Sequence, residues 1–335
     1  MKTQRVYLLI VCLVLSIFIS PKGLLSAPYY EGKRMIVVVG FAPGTAHDLM
    51  SRMVVRYLPK YISGKPTIVV DNKVGGSSMI AANYLYNVAA PDGLTIGTFN
   101  RGLPIAQLTK SKGAEFDLKK FAWIGSIAVD SNVFCIRSDL PYKTFDELQN
   151  SKKEIFVSSG GPMSSSAQFS TLIRVFIKLN MKLITYTNMA DAILAVERKE
   201  ADAMGNTYSA LVALIDRGVL RPVLRGRNFV PAIEKLPVDE DLATDKIGKA
   251  VMAMRSATDQ VGRPFVAPPG TPPEVMNVIR EAFAKALKDP QLQKDAEKGK
   301  MPVEYLPAEE ALKSVNSILN QPEDVVKEFT KYITF

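Results

Sequence analysis

The chain has one histidine and two cysteines in 335 residues. His47 alone would have to serve any Ser-His-Asp or Cys-His nucleophile arrangement, and no G-x-S-x-G elbow is present. So few nitrogen and sulfur ligands argue against zinc. Cys12 falls in an N-terminal apolar run, which leaves Cys135 without a partner for a disulfide in the rest of the chain. Cys135 lies in Val133-Phe134-Cys135-Ile136, a strand-like apolar run, and is expected as a buried core thiol. No G-x-x-x-x-G-K-[ST] loop occurs, and Gly40-Phe41-Ala42-Pro43-Gly44 is not G-x-G-x-x-G. Common hydrolases and nucleotide enzymes are disfavoured, and no cofactor, metal or catalytic residue is expected. Chemistry by a carboxylate pair stays open, because such pairs cannot be recognised without a structure. Basic residues form no stripe with interleaved aromatics, so nucleic acid is not an expected partner.

Long apolar runs are scarce as well. Lys2 and Arg5 precede an uncharged run from Val6 to Ile19, the pattern of a secretory signal. The run is shorter than the ~20 residues of a comfortable membrane span. Residues 1–27 are read as a signal peptide cleaved near Ala27, although Leu25 is large for its position and Pro28 would follow the cut. An uncleaved anchor is the alternative. No lipobox surrounds Cys12, and the remainder is expected to be soluble and periplasmic. Removing this segment takes away Lys2, Arg5 and Lys22 from 42 basic and 33 acidic residues, leaving a net charge of +6.

What is present is an alternation of strand and helix signals. Met35 to Gly40 is a continuous apolar run, read as a buried parallel strand. Pro43-Gly44 breaks it, and Leu49, Met53, Val54, Tyr57 and Leu58 follow at helical spacing. Thr67 to Val70 and Leu94 to Phe99 are the next strands, separated by a helix carrying Ile80, Tyr84, Leu85 and Val88. Phe121 to Val129 and Asn132 to Arg137 also read as strands. A second alternation follows, with strands at Glu154 to Val157, Leu183 to Tyr186, Ala201 to Gly205 and Leu220 to Leu224. The stretch from Asn228 to Asp259 yields no assignment. Arg263 to Val266 reads as a segment crossing between lobes, and the last 60 or so residues read as helices, with Pro290, Pro307 and Pro322 at first helical positions.

Ligands of open α/β sheets sit beyond the carboxyl ends of the strands, so the strand-to-helix loops are the candidate site. In the first, Phe41, Gly44, Thr45, Ala46 and Asp48 lie where free backbone N–H groups and a helix N-terminus attract an anion. Thr45 and Asp48 also have capping-box spacing and serve equally to finish the helix. His47 is read as a loop residue near the cleft. Ser78 lies in a second glycine-rich loop as donor or cap. The third loop, Ser158 to Ser166, offers Ser159, Gly160, Ser164, Ser165 and Ser166. Arg101, directly after the third strand, could take a carboxylate with two parallel hydrogen bonds. Thr207 and Tyr208 follow a later strand end, with Tyr208 equally a core residue.

Several of these segments carry a resemblance. Ile36-Val37-Val38-Val39-Gly40-Phe41-Ala42-Pro43-Gly44 with Asp48-Leu49, then Val69-Val70-Asp71-Asn72-Lys73-Val74-Gly75-Gly76 and Pro91-Asp92-Gly93-Leu94-Thr95-Ile96-Gly97, resemble the opening segments of the Bug family. Gly218-Val219-Leu220-Arg221-Pro222 and Ala267-Pro268-Pro269-Gly270-Thr271-Pro272-Pro273 resemble later ones. These are extracytoplasmic solute receptors of tripartite tricarboxylate transporters. The resemblance implies a two-lobed, Venus-flytrap α/β fold, each lobe a sheet flanked by helices, with the ligand in the cleft between lobes. It implies that Phe41 to Asp48 and Ser158 to Ser166 grip a carboxylate through N–H groups, hydroxyls and water. The pattern departs at Thr45, where a glycine is usual, and across Leu242 to Arg263.

The expected organisation is a first lobe of residues 28–128 plus 264–335 and a second of 129–263, with a hinge near 129 and 264. The expected function is capture of a small carboxylate (a di- or tricarboxylate, or an aromatic acid) by a monomer and its delivery to the membrane subunits of a tripartite transporter. A sensory binding protein reporting to a membrane kinase is the first alternative. A carboxylate-using enzyme on the same fold is the second.

Overall fold

The structure is a computed structural model that describes residues 28–161, 164–228, 230–301 and 303–333. The signal segment 1–27 lies outside the described residues, as do Pro162 and Met163 of the serine-rich loop.

The first half of the chain runs β1 (Arg34–Val39), α1 (Ala46–Tyr57), β2 (Thr67–Asn72), α2 (Met79–Asn87), β3 (Thr95–Thr98), α3 (Leu103–Leu108) and β4 (Ala122–Ser126). A second unit runs β5 (Asn132–Arg137), α4 (Phe145–Asn150), β6 (Ile155–Ser159), α5 (Ser165–Leu172), β7 (Met181–Thr185), α6 (Met189–Glu197), β8 (Ala203–Thr207), α7 (Tyr208–Asp216) and β9 (Leu220–Arg225). Helix α8 (Lys246–Val261) leads back to β10 (Pro264–Ala267), α9 (Pro273–Leu287), α10 (Pro290–Lys298), β11 (Leu306–Pro307), α11 (Ala308–Leu319) and α12 (Glu323–Thr330). Pro290 is a first helical position, whereas Pro307 and Pro322 sit one place earlier, as caps.

The strands form two sheets, ordered β11-β4-β10-β3-β1-β2 and β7-β6-β8-β5-β9. This is the two-lobed α/β architecture. Strand β1 pairs in parallel with both β2 and β3, so it lies inside its sheet; Val38 is buried in one apolar cluster and Val37 and Val39 in another, so both its faces are covered. That is why its sequence is a continuous apolar run. Parallel pairing also places the carboxyl ends of β1, β2 and β3 on one edge. In the second sheet β6 parallels β7 and β8, and the antiparallel β5 brings its amino end, Asn132, opposite Thr207 at the carboxyl end of β8.

The chain crosses between the sheets at these same edges. It leaves β4 at Ser126 and enters β5 at Asn132; it returns from α8 through Gly262 into β10. The two crossings touch, with the Ile127 N–H donating to the Arg263 carbonyl at 3.1 Å and the Arg263 N–H to the Ala128 carbonyl at 3.2 Å.

Helix α8 fills much of the stretch that carries no clear sequence pattern. Asp245 caps it, accepting from the Gly248 N–H at 2.7 Å. Val251, Met252, Met254 and Val261 are buried in an apolar cluster that runs from Phe99 and Trp123 in the first unit to Phe134, Phe169 and Phe176 in the second. The C-terminal segment adds a third link. Phe329 and Ile333 join the same cluster, and the Tyr332 ring meets Phe176 edge-on, 5.6 Å between centroids.

Candidate functional site

The loops after β1 and β6 end in the same way. Thr45 caps α1, its hydroxyl accepting from the Asp48 N–H at 3.5 Å. Ser164 caps α5, accepting from the Ala167 N–H at 3.1 Å. Each cap leaves the N–H groups of the first two helical residues, Ala46 and His47 on one side and Ser165 and Ser166 on the other, without an acceptor in their own helix. Both helix ends carry the positive end of a macrodipole to the sheet edge.

Side chains behind the first loop fix its shape. The two oxygens of Asp48 are used internally: Oδ2 accepts from the Gly44 N–H and from Arg52 Nε, both at 2.9 Å, and Oδ1 accepts from Asn72 Nδ2 at 2.8 Å. Burial pushes this carboxyl up, but the hydrogen bonds from Arg52, Asn72 and Gly44 outweigh it and hold Asp48 below the usual carboxylate range. Replacing Thr45 with alanine removes one cap and is expected to lower stability by about 1 kcal/mol. Equal chemical-denaturation midpoints for variant and wild type would exclude this role.

Between the loops lies a set of buried charges. Asp259 of α8 accepts from Asn132 Nδ2 at 2.8 Å on Oδ1 and 2.7 Å on Oδ2. Arg101 Nη2 is 3.0 Å from Oδ1, and Arg255 Nη2 is 3.0 Å from Oδ2. Asn132 Oδ1 in turn accepts from Ser165 Oγ at 3.4 Å. One chain of contacts therefore runs from the loop after β3, through the linking helix, to Ser165 at the start of α5. The Arg255 guanidinium also lies over the Phe169 ring, 4.8 Å from its centroid.

Arg263 lies just before β10. Its Nη2 is 3.3 Å from Ser209 Oγ and 3.9 Å from Asp130 Oδ2, and Ser209 Oγ bonds Asp130 closely. Burial pulls the Arg263 guanidinium down to about 10, with Asp130 opposing and Arg101 assisting. His47 stacks on Phe41 with ring centroids 3.8 Å apart. Burial, then the charges of Arg263 and Arg101, hold its imidazole well below the usual histidine range, so it is neutral at pH 7. Arg255 is 1% and Arg263 6% exposed. Even so, Arg255 Nε and Nη1, Arg263 Nε and His47 Nε2 are buried without a hydrogen-bond partner among the described residues. Such groups are rare in folded proteins and costly unless a partner arrives.

The model of the TctC family, tripartite tricarboxylate transporter family receptors, matches residues 54–330. The chain belongs to this family, the Bug receptors. The receptor is 26% identical over 271 residues to a UPF0065 protein of Bordetella pertussis, covering 79% of each chain. Its fold is similar to that of the periplasmic binding protein BugD, with a TM-score of 0.69 at 21% identity, covering 91% of this chain and 100% of that one. It is equally similar to R. palustris Rpa4515 solved with adipate, with a TM-score of 0.69 at 18% identity over 91% and 99% of the two chains. The receptor is thus a solute-binding protein of the transport class, and periplasmic placement accords with its family.

The residues singled out from the receptor's sequence divide into two groups. Arg101 and Ser165 join the Asp259 network, and Phe41 lies under His47. Thr207 Oγ1 is 3.5 Å from Ser209 Oγ, at the edge of the Asp130–Arg263 pair. Gly44 and Ala46 are exposed at the tip of the first loop. The others support the framework. Ser78 takes a left-handed conformation and donates to the Gly40 carbonyl at 2.9 Å rather than capping α2. Ser159 donates to the Gly160 carbonyl at 3.1 Å, and Ser166 to the Gly205 carbonyl at 2.5 Å. The Tyr208 ring packs on the apolar cluster that holds Val133 and Cys135.

Sequence reasoning missed Asp130, Asn132, Arg255, Asp259 and Arg263. A signal was there for two of them. Gly248, Val251, Met252, Arg255 and Asp259 share one buried face of α8. A charged pair four residues apart on an apolar face is a sign of an internal ion pair. A groove of about 780 Å³ lined by Tyr29, Asp92 and Val275 lies at the amino ends of the first strands, away from these groups.

Proposed function

We propose that the receptor captures a small carboxylate between the loops after β1 and β6 and delivers it to the membrane subunits of a tripartite tricarboxylate transporter. The observation that carries the reading is a pair of buried arginines beside the Asp259 and Asp130 carboxylates whose N–H groups, Nε and Nη1 of Arg255 and Nε of Arg263, have no hydrogen-bond partner among the described residues. A carboxylate is the simplest partner that supplies both the charge and the acceptors. Hydroxyls and N–H groups of Thr45, Ala46, Ser164 and Ser165 would complete its shell, with Arg101 and Thr207 at the margin. A structural neighbour solved with adipate supports the chemistry. The receptor acts in the periplasm as a monomer after cleavage near Ala27, and the contacting crossings at 127–131 and 262–263 serve as the hinge on which the lobes close.

The test is a thermal-shift screen against mono-, di-, tri- and aromatic carboxylates. A ligand present at 100 times its Kd should stabilise the receptor by about 2.7 kcal/mol. If no carboxylate raises the melting temperature, the reading fails. Arg263→Lys keeps the charge beside Asp130 and removes the Nε donor. It is expected to weaken binding on the order of tenfold by calorimetry. Unchanged affinity would remove Arg263 from the site.

A further inference from the structure

Asp259 is held as a bound carboxylate would be. It is 1% exposed, and each of its oxygens is met by one guanidinium and by the Asn132 amide. These donors come from three separate parts of the chain: the loop after β3, the start of β5, and α8 itself. The carboxylate is tethered on the helix that leads the chain back from the second sheet to the first. We infer that Asp259 occupies the place of one acid group of a ligand, and that the cleft therefore selects a solute with a single carboxylate. This inference rests on the reading of the cleft as a carboxylate site.

The charges near the cleft argue the same way. Arg101, Arg255 and Arg263 bring three cations, and Asp259 and Asp130 bring two anions within 4 Å of them. Glu240 is taken by Arg227, and His47 is neutral. Asp239, also near Arg255, is held largely in its protonated form below about 7 by burial. Below about pH 7 one positive charge is therefore left over, which a monoanion offsets. A dianion would place a second negative charge beside the buried carboxylates Asp259 and Asp130, in a medium of low dielectric where like charges repel strongly. The donors tell the same story. Arg101 and Arg255 each already place Nη2 against Asp259, and of the three arginines Arg255 and Arg263 keep buried N–H groups without a partner among the described residues.

The experiment compares acids matched in carbon skeleton: hexanoate with adipate, butyrate with succinate, and benzoate with phthalate. Calorimetry on the mature chain is expected to give the tighter Kd to the monoacid of whichever pair binds, by on the order of tenfold. In Asp259→Asn the preference should shift toward the diacid. In Asp259→Ala, acetate should raise the melting temperature saturably where chloride at equal ionic strength does not. If diacids bind the wild type as tightly as their matched monoacids, or more tightly, the inference is overturned and the carboxylate site stands. If no acid of either class binds, both fall. Should neither variant fold, the wild-type preference still decides.

Discussion

Gly262→Ala is expected to destabilise the receptor by about 3–5 kcal/mol, seen as a fall in melting temperature on the order of 10 °C. Gly262 ends α8 with φ +67° and ψ −127°, a conformation that side chains other than glycine's rarely tolerate. A Cβ there would stand 1.9 Å from the Ala128 carbonyl oxygen and 2.6 Å from Ser126 Oγ. Neither neighbour can yield cheaply. The Ala128 oxygen accepts from the Arg263 N–H, and Ser126 Oγ accepts from the same N–H at 2.7 Å. The clash would therefore pry apart the two crossing segments and shift Arg263 away from Asp130. Gly270→Ala is the control, since φ there is +81° but nothing lies within 4 Å of the added carbon. It should cost about 1–2 kcal/mol from backbone conformation alone. Equal losses in the two variants would refute the close packing of the crossings.

The contrast between these glycines bears on what a sequence discloses. Gly262 follows a helix and precedes β10, and Gly270 precedes α9, but neither local sequence announces a clash; the difference is made by Ala128, more than 130 positions from Gly262. The legible parts of the fold were those with a local cause. The apolar run of β1 follows from its place between two parallel neighbours, and Thr45 and Ser164 announce their caps by type and position. The loops that could meet a ligand followed from strand order alone. Helix α8 was illegible for a physical reason. Arg255 and Asp259 interrupt its apolar face, so its periodicity is broken by the pair that matters most to the site. Arg101 could be placed at a strand end, but its partner could not, because Asp259 reaches it only after the chain has crossed to the second sheet and run through that whole unit. The serine-rich loop shows the converse. Its hydroxyls looked like ligand donors, yet Ser159 and Ser166 spend theirs on backbone carbonyls, Ser159 on that of the next residue and Ser166 on that of Gly205, a demand that appears only once the loop is folded against β8.

Asp239 is expected to make the receptor lose stability as pH rises from about 4 to 8, and Asp239→Asn to abolish that loss. Burial raises this carboxyl to about 7, opposed by Arg255 and the Glu240 N–H and assisted by the charges of Glu240 and Asp259. Its Oδ1 accepts from the Glu240 N–H at 2.9 Å, while Oδ2 is buried without a partner among the described residues. In the unfolded chain the group titrates near 3.8. Between the two values the folded receptor holds a proton that the unfolded chain has released, so stability falls with rising pH and levels off above 7. The full effect is about 4 kcal/mol. His47 works in the opposite direction. Its folded value lies well below 6.5, so its contribution grows as pH rises toward 6.5. Asp48 and Asp139, both lowered, contribute above the unfolded carboxylate range and lose that contribution in acid. The measurement is therefore a difference: melting temperature against pH for wild type and Asp239→Asn. The two should coincide near pH 4 and diverge in favour of the variant by on the order of 10 °C at pH 8; parallel curves would sink the prediction. The same proton bears on the ligand. With Asp239 protonated, Arg255 is balanced only by Asp259, which it shares with Arg101, and keeps its spare N–H groups for an incoming anion.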